Sequence, residues 1–150
     1  MIHAKFSLVF GLICVMWLHS AISQTPKEQP ESHAVDVSLI RVIANPKDFD
    51  RKKILVGGYL TIGLENNMLF FSKEDAVRHL FKNSIWVAYG PKVESKEDLK
   101  KHDSYYAKLK PFAGQYVLLE GTFNMNEPGH LDCCSGGIVD VTKTVPVAGR

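Results

Sequence analysis

Across residues 54–64 the even positions, Ile54, Val56, Gly58, Leu60, Ile62 and Leu64, are all apolar or glycine, while the odd positions mix Leu55, Gly57, Tyr59, Thr61 and Gly63. Alternation with a period of two predicts one long strand with a single buried face, because successive side chains of a strand point to opposite sides of its sheet. A second stretch repeats the pattern. With Gly121 set on Gly58, Val117, Leu119 and Phe123 fall on Ile54, Val56 and Leu60, and both glycines lie on the inward face. A glycine inside a well-patterned strand marks a bulge or a close backbone approach, which a small sheet needs in order to curl into a barrel.

The remaining elements follow in order. Asp36 or Ser38 can cap a short helix on which Leu39, Ile40 and Ile43 share a face, and Asn45-Pro46 ends it because the residue before proline disfavours the helical region. Phe49 continues the apolar seam. After the long strand, residues 65–67 make a hairpin turn and 68–71 a return strand. Ser72, three residues before Asp75, opens a capped helix through Leu80 with Ala76, Val77, Leu80 and Phe81 as its apolar stripe. Residues 85–89 form a third strand carrying Trp86. Ser95 with Asp98 starts another helix, on which Leu99, His102, Tyr106 and Leu109 recur at helical spacing, and Lys110-Pro111 closes it. Residues 116–125 are a fourth strand, 126–136 a polar loop, and 138–145 a fifth strand with Val139, Val141 and Val145 on one face.

This order predicts an α+β domain: a five-stranded OB-fold-like Greek-key barrel with a short helix ahead of it and a helix between strands three and four. A small open α+β sheet is the alternative, and the paired glycines favour the barrel. The segments Val37-Ser38-Leu39-Ile40, Asn45-Pro46, Gly58-Tyr59-Leu60, Ser72-Lys73-Glu74-Asp75, Asn83 with Trp86, Glu120-Gly121-Thr122-Phe123 and Gly129-His130 resemble those of small exported bacterial OB-fold-like proteins of uncharacterised function. The resemblance implies a fold, a bacterial source and export. It implies no reaction and no site.

The first residues read as a secretory signal: Lys5, an apolar run over 6–18, then small residues at Ala21 and Ser23, with cleavage expected after Ser23. That run is shorter than the roughly 20 residues a membrane helix needs. Cys14 lies within it and is lost with it. The expected division is a signal at 1–23, a flexible Pro-containing linker at 24–34, the domain at 35–146 and a tail at 147–150, in a periplasmic or secreted protein. Of the 18 Lys and Arg, one falls in the signal, leaving 17 against 16 Asp and Glu. Such a balance gives no broad electrostatic reason to bind nucleic acid or an anionic membrane.

Two groups of side chains offer chemistry. Tyr59, Phe71, Trp86 and Tyr89 lie on strands that line the usual OB ligand face, where aromatic rings can stack on a ligand, and His130 stands in an adjacent loop. Packing within the sheet is the plainer role for the aromatics. His130, Asp132, Cys133 and Cys134 form the one dense cluster of ligand-type residues; they are candidates for zinc or copper(I), although adjacent cysteines rarely aim both sulfurs at one tetrahedral centre. The cysteines can equally form a vicinal disulfide or remain ordinary thiols. The mixed charges over 96–103 read as a solvated helix face, and His79 and His102 as packed or partly exposed histidines. No Walker loop, HExxH, GxSxG or CxxC element occurs, no catalytic residue stands out and no cofactor is implied.

The expected function is therefore that of an exported, non-enzymatic binding module recognising a peptide, glycan or partner protein of the envelope or exterior. The alternative is a metal- or redox-dependent enzyme or hydrolase using the loop after the fourth strand. A third reading is an assembly component that pairs an exposed strand with its partner.

Overall fold

The structure, a computed structural model, describes residues 33–88 and 93–148. The signal, Cys14, nearly all of the linker and Tyr89 fall outside these residues. In chain order the elements are β1 (Val35–Ser38), α1 (Leu39–Ala44), α2 (Pro46–Phe49), β2 (Lys53–Thr61), β3 (Met68–Phe70), α3 (Lys73–Val77), β4 (Ser84–Val87), α4 (Lys96–Leu109), β5 (Gln115–Asn124) and β6 (Gly137–Pro146), with single 3-10 turns at Phe81–Asn83, Lys110–Phe112 and His130–Asp132.

β2 is the spine. One edge pairs antiparallel with β5, from Lys53 opposite Thr122 to Leu60 opposite Gln115. The other edge is shared: β1 runs parallel to residues 54–57, and β3 runs antiparallel to residues 59–61. β3 then pairs with β4, β4 parallel with β6, and β6 antiparallel with β5, which returns to β2 and closes the barrel. This is the OB-fold-like arrangement of five strands with a helix between the third and fourth; β1 is an additional sixth strand.

The inward face alternates as the sequence implies. Ile54, Val56, Leu60, Val117, Leu119 and Phe123 are fully buried, joined by Leu69, Ile85, Val87 and Ile138 from the other strands. Gly58 lies where β2 passes from β1 to β3. A Cβ there would stand 2.6 Å from the Phe70 carbonyl oxygen and 2.7 Å from Leu69 Cγ. Gly121 lies where the register between β5 and β6 slips over a bulge, and its Cβ would meet the Val139 carbonyl oxygen at 2.7 Å. Neither site has room for a side chain.

The helices add Leu39, Val42, Phe49 and Leu109 to the same core, with Tyr105, Tyr106 and Ile43 packed partly against it. Ser38 accepts the Arg41 backbone N–H and so caps α1, and Ser95 accepts that of Asp98 at the start of α4. The Glu97–Lys101 pair, 3.0 Å apart, lies on the solvated face of α4.

Several sequence expectations need correction. Leu64 is in solvent, because β2 ends at Thr61 and the Asn67 carboxamide turns the loop by accepting the Gly63 N–H at 3.1 Å. In α1 the face is Leu39 and Val42, not Ile40, which is exposed. In α4 the tyrosines and Leu109 face the core while Leu99 is exposed. In β6 the stretch from Val139 to Lys143 faces only Thr122 to Glu120 of β5, a two-residue bulge around Asp140, whose φ is 51°; it turns Val141 onto the core, while Val139 and Val145 share the other face as expected, opposite Thr122 and Leu118.

α3 also stops at Val77, short of the expected Leu80. The His79 N–H donates to the Ala76 carbonyl and the Leu80 N–H to the Asp75 carbonyl, with His79 in the left-handed region at φ 56°. These two bonds form a Schellman cap, usually made with glycine at the left-handed position, so a histidine there gave no stop signal. Val77 and Leu80 are consequently exposed.

A methyl group at Gly58 must displace backbone, so Gly58→Ala is expected to cost about 1–3 kcal/mol, comparable to the loss of a buried aliphatic side chain. Urea unfolding checks this: Gly58→Ala should lower the midpoint clearly, whereas Gly63→Ala, whose Cβ would find its nearest neighbour at 3.7 Å, should leave it nearly unchanged.

Candidate functional site

β3 has only three residues, and all are buried. Leu69 points into the barrel, which leaves Met68 and Phe70 on the outer face, where a second cluster covers them. Cys134 is buried in that cluster, with Tyr59, Ala76, Phe81, Trp86 and Cys133 packed partly against it. The face that carries ligands in OB-folds is thus roofed by this chain's own segment 72–83 and by the loop 125–136.

The roof is tied down at several points. The Trp86 N–H donates to the Gly136 carbonyl at 2.8 Å, the Ser135 N–H to the Ser84 carbonyl at 3.2 Å, and the Cys134 N–H to the Pro128 carbonyl at 3.0 Å. Ser135 Oγ donates to the Lys82 carbonyl at 3.0 Å, and Lys82 Nζ to the Asp132 carbonyl at 2.9 Å. Gly129, at φ 77°, lies against the indole; a Cβ there would stand 2.4 Å from Trp86 Cδ2.

The structure therefore disperses the aromatic set. One face of Trp86 is taken by Gly129. Tyr59 packs edge-on against Tyr116 at 5.4 Å, and the Tyr116 hydroxyl accepts the Lys73 N–H at the start of α3. Phe71 is exposed at 48 % and lines a separate cleft of about 320 Å³ beside Ile40 and Ile43. His130 is exposed in the β5–β6 loop. Of the ligand-type cluster, His130 and Asp132 are in solvent, whereas Cys133 is partly and Cys134 fully buried. Among the described residues no three His, Cys, Asp or Glu side chains converge.

What the roof creates instead is a cleft of about 510 Å³ between residues 79–83 and 131–133. Three non-glycine residues with left-handed backbone border it: His79, Leu131 and Asp132, with φ of 56°, 56° and 52°. His and Asp adopt this region comparatively often; a bulky Leu does so at a cost. Leu131 is also 85 % exposed and Leu80 47 % exposed, so the cleft mouth carries two aliphatic side chains in water. The Cys133 side chain lines the interior. Leu131 went unnoticed in the sequence because one leucine in a polar loop forms no periodic pattern, and Leu80 was masked by its place at the end of a helical stripe.

The 72–83 wall is held by Asp75. Its carboxylate accepts from the Asn83 amide at 2.9 Å and the Ser72 hydroxyl at 2.7 Å, while the Asp75 N–H donates to Ser72 Oγ at 3.0 Å. The Asn83 bond first, and then that of Ser72, hold the Asp75 carboxyl below the usual carboxylate range against the opposing effect of burial. Because the folded pKa is depressed, ionised Asp75 stabilises the fold above the unfolded value near 3.9, and the contribution is lost as pH falls through the lower folded value. Asp75→Asn should therefore be less stable than the wild type at neutral pH, with the difference shrinking below about pH 4. Urea midpoints measured against pH check this; a difference independent of pH would contradict it.

Comparison of the chain with protein-family models, curated proteins and solved structures finds no match.

Proposed function

We propose that this protein is an exported, non-enzymatic binding module that holds an apolar segment of a peptide or partner protein in the cleft between residues 79–83 and 131–133. The observation that carries the reading is Leu131: a large aliphatic side chain, 85 % exposed, on a left-handed backbone at φ 56°. Strained backbone and an exposed apolar side chain both work against the isolated fold, and strain of this kind clusters where a surface is shaped for something else. Leu80, 47 % exposed, lines the same cleft, so Leu131 is not an isolated apolar group there. A peptide or protein fits this surface better than a glycan, because the rings that would stack on a sugar are covered or scattered. The leader-like first 23 residues support export.

Selection of peptides from a displayed library against the purified protein, alongside a glycan array, tests the proposal with one variant. Leu131→Gly should weaken the selected peptides about tenfold or more, a loss of at least about 1.4 kcal/mol. The same change should stabilise the fold by about 0.5–1 kcal/mol, the relief of left-handed strain less the entropy that glycine adds to the unfolded chain. Peptides that bind the variant as well as the wild type, or glycans that bind where no peptide does, would overturn the reading.

A further inference from the structure

Cys133, which lines the same cleft, packs in one cluster with two further sulfur-bearing residues, Met68 and Cys134. Cys133 Sγ and Cys134 Sγ are 3.3 Å apart. Ser84 Oγ stands 3.3 Å from Cys134 Sγ and 3.9 Å from Met68 Sδ, so both sulfurs flank one hydroxyl. Met68 and Cys134 are each 3 % exposed, whereas Cys133 is half-buried and lines the cleft. We propose that Cys133, Cys134 and Met68 form a binding site for a soft monovalent cation, copper(I) or silver(I). The inference does not depend on the peptide reading of the cleft.

The donor set decides the metal. Zinc in a structural site takes four N, O or S ligands, and His130 and Asp132, which would have to supply the rest, are in solvent. Thiolates with a thioether are the soft ligands that select copper(I), which is satisfied by fewer of them. The surroundings fit the same choice. Lys82, whose ammonium is held at the Asp132 carbonyl, also acts electrostatically on Cys134 and offsets the negative charge of two thiolates. The Ser84 hydroxyl, fixed by donating its one proton to the Phe81 carbonyl at 2.6 Å, keeps its place beside both sulfurs. The cleft gives the ion a way in through Cys133, the sulfur with open space beside it.

The binding step balances without a change in oxidation state: three sulfur–metal bonds form, two from the thiolates and one from a lone pair of the Met68 thioether, the two S–H bonds break, and both protons pass to solvent.

The test uses the purified protein, reduced with a phosphine and kept anaerobic, titrated with copper(I) in competition with a chromogenic copper(I) chelator. Expected are one equivalent of copper per chain, a near-ultraviolet sulfur-to-copper band, and an X-ray absorption shell made of sulfur. Cys133→Ser, at a partly exposed position, should lose the site while far-ultraviolet circular dichroism and the urea midpoint stay as in the wild type. Met68→Leu, nearly volume-conserving, should weaken copper(I) without unfolding the protein. Copper left entirely with the chelator, a shell made mostly of nitrogen or oxygen, one copper shared between two chains, or wild-type affinity in both Cys133→Ser and Met68→Leu would each overturn the proposal.

Discussion

At Gly58, against Phe70 and Leu69, and at Gly121, against Val139 and Ile138, neighbouring strands approach too closely for a Cβ, and the closed sheet depends on both approaches. At Gly58 a single strand changes partners, so β2 must coil sharply enough to serve β1 at one end and β3 at the other while staying continuous with β5. At Gly121 the opposite wall absorbs a register slip. Between them, side chains from five strands reach one interior, where burial of each large aliphatic or aromatic group stabilises the fold by about 1.5–3 kcal/mol.

Closing a barrel with so short a third wall has a consequence outside it. β3 must point one residue inward and two outward, and Met68 and Phe70 would be apolar groups in water without the cover of α3, the Phe81 turn and the β5–β6 loop. The cover in turn removes the flat aromatic surface that OB-folds commonly offer a ligand, and moves the accessible concavity to the seam between its two pieces. The same requirement that buries Met68 and Cys134 thus sets Cys133 at the edge of a cleft and leaves Leu80 and Leu131 facing outward.

The two pieces of the cover share the second apolar cluster beneath them and are tied to each other by polar and backbone bonds. Asp75, Ser72 and Asn83 fix one wall; the Lys82 and Ser135 bonds join it to the other. Bonds of this kind each contribute on the order of 1 kcal/mol net, far less than the core gives in sum.

The sequence by itself determined the alternation of β2 and β5, the two inward glycines, the Ser72 and Ser95 caps, and hence the barrel with its intervening helix; the choice of Ser38 over Asp36 as the first cap came from the structure. These are local signals: period, capping chemistry and a missing Cβ are all written within a few residues. It did not determine where α3 stops, because His79 takes a position that glycine usually marks, nor that Val141 turns inward, because the Asp140 bulge carries no glycine. Nor could it bring Met68 to Cys134 across 66 positions of chain, or lay Gly129 on Trp86. Those meetings follow from which strands become neighbours when the sheet closes, a property of the tertiary structure that no stretch of the chain contains.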